Sequence, residues 1–262
     1  MTDAVLLEGI LSRQTLTGAN LAGADLSNAD LRGANLASAN LTDADLRDAN
    51  LASADLRDAN LTHADLSNTD LTRARLILAD LTYARLIYAD LTNAYLTNAD
   101  LTYAILANAN LTHANLADAN LTHAYLASAD LTGADLGGAI LTHTDLRGAI
   151  LTGADLGGAD LTHTDLRGAI LTGANLGGAD LRGSNLTDVS LTGADLRGAD
   201  LTDVSLTGAN LVDITWSELT RWPDAYGAVM LERSVPIGGG LWRVQGSGNS
   251  GADLSVPPVP VG

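Results

Sequence analysis

The chain of 262 residues has a formal charge of −17 and a pI of about 4.3, and all 14 basic residues are arginine. Nucleic acid and anionic membrane are therefore poor partners, while a basic protein surface is a good one. Cysteine is absent, which excludes disulfides and thiolate metal sites. Phenylalanine is absent as well, so the 46% hydrophobic content is almost all Leu and Ala and implies a narrow, uniform core.

The opening stretch Met1–Leu11 contains the apolar run Ala4-Val5-Leu6-Leu7, but Asp3 and Glu8 and the lack of early positive charge argue against a signal peptide. No stretch approaches the roughly 18 apolar residues of a membrane span. The expectation is a soluble cytoplasmic protein, with residues 1–15 forming an N-terminal coil and cap that covers an otherwise sticky β edge.

From Leu16 to Leu211 a leucine stands at every fifth position, in most units preceded by Ala two places earlier and by Asp or Asn one place earlier. In a helix, leucines five apart would rotate about 140° each time and form no stripe. In a flat strand, every second one would face outward. A chain that turns a corner every five residues keeps all of them on one axis. The number of corners follows from a longer period. Residues 131–150 and 151–170 differ only at Ile140 against Asp160, so the repeating block is twenty residues and four sides close one coil. Stacked coils then pair as parallel β at about 4.8 Å. The residue before each Leu and the two after it point outward.

The run A-[D/N]-L-x-x, sustained over forty consecutive units, resembles the pentapeptide-repeat proteins. The resemblance implies a right-handed quadrilateral parallel β-helix over residues 16–215, of roughly ten coils and about 48 Å. Its interior is filled with leucine. The half up to residue 130 is varied and holds all the tyrosines of the repeat; residues 131–211 are rich in Gly, as in Leu136-Gly137-Gly138. The pattern breaks at Trp216. Residues 216–244, with Trp222-Pro223, Tyr226 and Leu241–Val244, are apolar enough to cover the last coil. Residues 245–262 have the Gly/Ser and Pro/Val composition of a disordered tail. The resemblance also implies a homodimer contact through the C-terminal segment.

Three outward features carry functional expectations. Aligned at period twenty, one edge reads His63, Tyr83, Tyr103, His123, His143, His163. A metal or pH-sensing ladder is one reading. Stacked aromatic rings on a solvated edge is the other, and the favoured one, because a straight column does not converge four ligands. No metal site and no cofactor is assigned. The second feature is a partial belt of bulky residues where Asp, Asn, Ser, Thr or Gly stand elsewhere. It comprises Arg75, Ile77, Leu78, Tyr83, Arg85, Ile87, Tyr88, Tyr95, Tyr103 and Ile105, a composition typical of protein interfaces. The third is acidity: 25 Asp against 10 Arg in residues 16–215 leave about one net negative charge per 3.2 Å, roughly half the density of duplex DNA.

Acidic rods of the resembled family mimic a DNA segment and bind DNA gyrase or related topoisomerases, some protecting the enzyme from its poisons. The resemblance therefore implies a topoisomerase as one partner. This chain departs from those relatives in having Leu alone at the centre and no loop that interrupts the ladder. The alternative is a scaffold that binds another protein through the Tyr/Arg belt, with its Asp residues serving the corners and solubility. No nucleophile–base arrangement rises above the repeat, Gly238-Gly239-Gly240 lacks a phosphate-loop lysine, and the filled core leaves no pocket. A binding protein is expected, not an enzyme.

Overall fold

The computed structural model describes residues 13–224 and 226–245. The expected N-terminal cap lies outside these residues except for its last three, and the expected tail lies outside them from residue 246 onward.

One pentad shows why the chain coils. Asp80 pairs in parallel with Asn60 on one side and Asp100 on the other, twenty residues away in each direction. Its N–H donates to the Ala59 carbonyl at 2.9 Å, the Leu81 N–H to Asp100 at 2.7 Å and the Tyr83 N–H to Thr102 at 3.0 Å. The Ala84 N–H folds back to the Leu81 carbonyl at 2.9 Å and closes a β-turn. The Thr82 N–H, the one donor left, is taken by the Asp80 side chain at 2.9 Å. All five backbone donors are thus satisfied within five residues, which lets so much non-helical backbone pack closely. The same contact recurs with Asn, as in Asn60 to Thr62 at 2.9 Å. Where Asp or Asn stands before the leucine it is therefore an acceptor built into the corner, and either residue meets the need.

The pairing of the residue before each leucine with the one twenty places on runs from Thr15 to Thr215, and a last bridge joins Asp200 to Arg221 across twenty-one. Four pentads close each coil, and the fold is the right-handed quadrilateral β-helix that the repeat implies. At the second residue after every leucine, from Arg13 to Asp213, φ lies between 56° and 70°. A turn closed in this way requires positive φ at its third residue, which Gly supplies freely, Asn and Asp tolerate, and other L residues adopt only under strain. The glycines that fill this position after residue 130 therefore relax the corners, a constraint that periodicity alone does not reveal.

Inside, the leucines and the preceding alanines form one continuous buried column. Thr replaces Ala at 69, 144 and 164, and each hydroxyl donates at 2.7 Å to a leucine carbonyl of the neighbouring coil: Leu46, Leu121 and Leu141. At the C-terminal end the column passes into a small cap. Strand β1 (Thr215–Ser217) is followed by helix α1 (Gly227–Glu232), β2 (Ser234–Gly238) and β3 (Leu241–Val244). The strands form an antiparallel sheet in the order β1-β3-β2. Trp216 occupies the leucine position and stacks on Trp242 with centroids 5.8 Å apart, while Trp222 meets it edge-on. Met230 of α1 is fully buried beside them. Among the described residues, no helix is long and apolar enough to cross a membrane.

Candidate interaction site

The belt residues come from consecutive pentads, so the coil places them on three of its four sides. Arg75, Ile77 and Leu78 occupy one side, Tyr83 the next, and Arg85, Ile87 and Tyr88 the third. The following coil adds Tyr95 directly over Arg75, Tyr103 over Tyr83, and Ile105 over Arg85. Tyr125 pairs in turn with Ile105 and is exposed, extending the third side by one coil. The sequence reading missed Tyr125; carrying the twenty-residue register one block further would have found it. The fourth side of the coil, at Asp90, Thr92 and Asn93, stays polar.

Every corner of the rod has positive φ, and in the belt three successive corners carry Leu or Tyr. Leu78, Tyr83 and Tyr88 are the corner residues of three successive turns, each with φ of 59° or 60°. Neither a leucine nor a tyrosine suits that conformation, which costs an L residue about 1–2 kcal/mol. Packing does not explain their presence, since Leu78 is 57% exposed and Tyr88 63%. Tyr83 differs, because its ring is sandwiched between His63 and Tyr103 at 5.0 and 4.9 Å. That stack continues through His123, His143 and His163 at 4.8–5.1 Å with nearly parallel rings. The histidine-tyrosine edge is therefore a six-ring ladder. Among the described residues, no three His, Asp or Glu side chains converge on a common point.

The arginines directly beside a leucine are of two kinds. Those directly after a leucine pair with the Asp two residues earlier, as in Arg32–Asp30 at 2.6 Å and Arg167–Asp165 at 2.6 Å. The Arg32 guanidinium and the Arg32 backbone N–H together hold the Asp30 carboxyl down at about 2. Arg75 and Arg85 sit instead in the position before the leucine. They reach only Asp55 at 3.9 Å and Asp65 at 3.5 Å in the coil before. Their side chains are half exposed. Nothing at the belt supplies a nucleophile with a base.

With the coil geometry established, the family is settled by comparison. The family model described as "Pentapeptide repeats" matches residues 16–76 and 79–214, with eight copies. The chain belongs to the pentapeptide-repeat family. Among solved structures, this pentapeptide-repeat chain is similar to HetL from the cyanobacterium Nostoc sp. strain PCC 7120, a protein described as involved in heterocyst differentiation regulation. They share 37% identity over 77% of this chain and 89% of HetL, with a TM-score of 0.67. It is also similar to Rfr23 from the cyanobacterium Cyanothece 51142, at 46% identity over 36% of this chain and 63% of Rfr23, with a TM-score of 0.35. A third structure is full-length QnrB1, described as a plasmid-mediated fluoroquinolone resistance protein. It is 17% identical over 84% of this chain and 97% of its own, with a TM-score of 0.39. Comparison with the curated proteins found no match.

Proposed function

We propose that this pentapeptide-repeat rod is a non-enzymatic, cytoplasmic binding protein that docks on a partner protein through the belt centred on Leu78, Tyr83 and Tyr88. One observation carries the reading. Three successive corners of a single coil hold bulky side chains on backbone that disfavours them, and two of those side chains are more than half exposed. Strain of this kind persists where function retains it. Exposed Tyr, Leu and Arg are the residue types that anchor interfaces. The acidic coils on either side steer a basic partner toward the belt. HetL's described part in regulating differentiation accords with binding.

The test is capture of partners by the wild-type rod and by a variant carrying Leu78→Asn and Tyr88→Asn, residues the corners accept without strain. Losing hot-spot contacts of about 2 kcal/mol weakens binding about thirtyfold. Equal capture by the variant would remove the belt from the interface.

A finer reading names the partner as DNA gyrase or another topoisomerase, with the rod standing in for DNA. It is supported by the corner chemistry: Asn serves the turn as well as Asp does, so the fold does not require the surplus of Asp. Supercoiling by gyrase, with and without a quinolone-type poison, should respond as the rod is titrated, and binding should weaken steeply with salt. No response at large excess would sink this reading and leave the scaffold reading, in which the belt binds and the charge only solubilises. A homodimer through the C-terminal segment also fits, because Leu219, Leu231 and Ile237 are exposed at that end. Light scattering that shows monomers at all concentrations would exclude it.

A further inference from the structure

We propose that His123, His143 and His163 form a surface site that chelates one divalent transition-metal ion of the Ni2+, Cu2+ and Zn2+ class, two imidazoles at a time. The chain has five histidines. His63 has Tyr83 as its ring neighbour and Asp43 on its other side in the twenty-residue register, while His113 stands between Asn93 and Gly133. Only the three at 123, 143 and 163 are consecutive rungs. Their ring centroids are 5.1 and 5.0 Å apart, with planes 6° and 10° from parallel.

Two nitrogens bound to one such ion at about 2.1 Å are at most about 4.2 Å apart. Neighbouring rings therefore need to bring one nitrogen each closer by about an ångström or two. Rotation of both rings about the Cβ–Cγ bond, a broad and soft torsion, turns their lone pairs toward a common point, at the loss of the stack between them and of the stack each makes with its other ring neighbour. Four converging ligands are not required, because water completes the shell at an exposed corner. Two imidazoles fixed on adjacent coils act at high effective concentration toward an ion already held by one. Imidazole selects this class of ion over Mg2+ and Ca2+, which take oxygen ligands. The charge of −17 on the rod raises the local concentration of cations. Gly183 continues the column without a side chain, so no further rung lies on the C-terminal flank of His163.

The experiment is equilibrium dialysis of the full chain against NiCl2 and, separately, ZnCl2, with His→Asn variants that suit the left-handed corner and with folding checked by circular dichroism. Wild type should bind one ion. His143→Asn, which removes both adjacent pairs, should weaken binding about tenfold or more, a loss of at least about 1.4 kcal/mol. His123→Asn and His163→Asn each leave one pair and should lose less. His63→Asn and His113→Asn should bind as wild type does, and excess Mg2+ should not compete. Failure to bind, an unchanged affinity in His143→Asn, or an equal loss in His113→Asn would overturn the proposal. Uptake that survives removal of all three histidines would assign the ion to the carboxylates instead, which also overturns it.

Discussion

Tyr83 and Tyr88 sit in one coil with the same backbone conformation, φ of 60° and 59°, and they should respond oppositely to replacement by Asn. The residues twenty before and after Tyr88 are Asn68 and Asn108, with φ of 59° and 58°. The Tyr88→Asn side chain therefore enters a corner that the repeat already builds with Asn. At 63% exposure Tyr88 gives up little burial, and relief of part of the left-handed cost should stabilise the rod by about 0.5–1 kcal/mol. Tyr83→Asn gains the same relief but breaks two ring stacks, at 5.0 and 4.9 Å, each contributing about 0.5–1.5 kcal/mol. The net expectation is a loss of up to about 2 kcal/mol. Urea unfolding followed by far-ultraviolet circular dichroism measures both, and because the two corners share a coil they report on the same unfolding unit even if the solenoid melts in parts. A Tyr88→Asn rod less stable than wild type by about 1 kcal/mol, or two variants shifted alike, would refute the reasoning. A more stable Tyr88→Asn rod that binds its partner less well would separate folding from function at one residue.

Asp30 has a folded pKa of about 2, below its ordinary 3.8, through its pairing with Arg32. Its contribution to stability is therefore present above pH 4 and lost as pH falls toward 2. The gap in urea midpoint between wild type and Asp30→Asn should shrink over that range, and a gap that widens in acid would contradict the assignment. Thr144→Val removes the hydroxyl that donates to Leu121 at 2.7 Å. It should cost about 0.5–1.5 kcal/mol by thermal or urea unfolding, and no more, because the Leu121 carbonyl keeps the Ala124 N–H. Gly133→Ala should destabilise clearly more than Gly173→Ala. Both corners have positive φ, but only at Gly133 would the added carbon meet a side chain, His113 Nδ1 at 2.5 Å. Leu86→Ala, in the middle of the fully buried column, should cost about 2–5 kcal/mol.

The register of the belt was legible because a period of twenty is a purely geometric statement. Once four pentads close a coil, Tyr103 must lie over Tyr83 and Tyr95 over Arg75, and both do. Two things at the belt were not legible. The strain at Leu78 and Tyr88 depends on φ, which the spacing of leucines does not constrain. The loose pairing of Arg75 and Arg85 depends on standing before the leucine instead of after it, where the side chain reaches the coil before and not the Asp two residues back. The cap shows the same division. The break at Trp216 and the apolar stretch after it mark a covering element, but the antiparallel order β1-β3-β2 and the stacking of Trp242 on Trp216 are contacts between segments with no repeat to align them.

By itself, then, the sequence determined the rod: a small buried residue, a polar acceptor and a leucine every five positions admit one closed, filled coil, and the copies must stack. That follows because the hydrophobic column and the pairing of most backbone donors are local requirements, met within five residues and their neighbours twenty away. The tertiary structure alone decided what each outward side chain experiences. Whether an Asp caps a turn or stands free, whether a Tyr is sandwiched or splayed, and whether three histidines touch are set by corner conformation and by the residue one coil above. Those are non-local contacts, and on this rod they are where the uniform repeat becomes a surface that distinguishes one coil from the next.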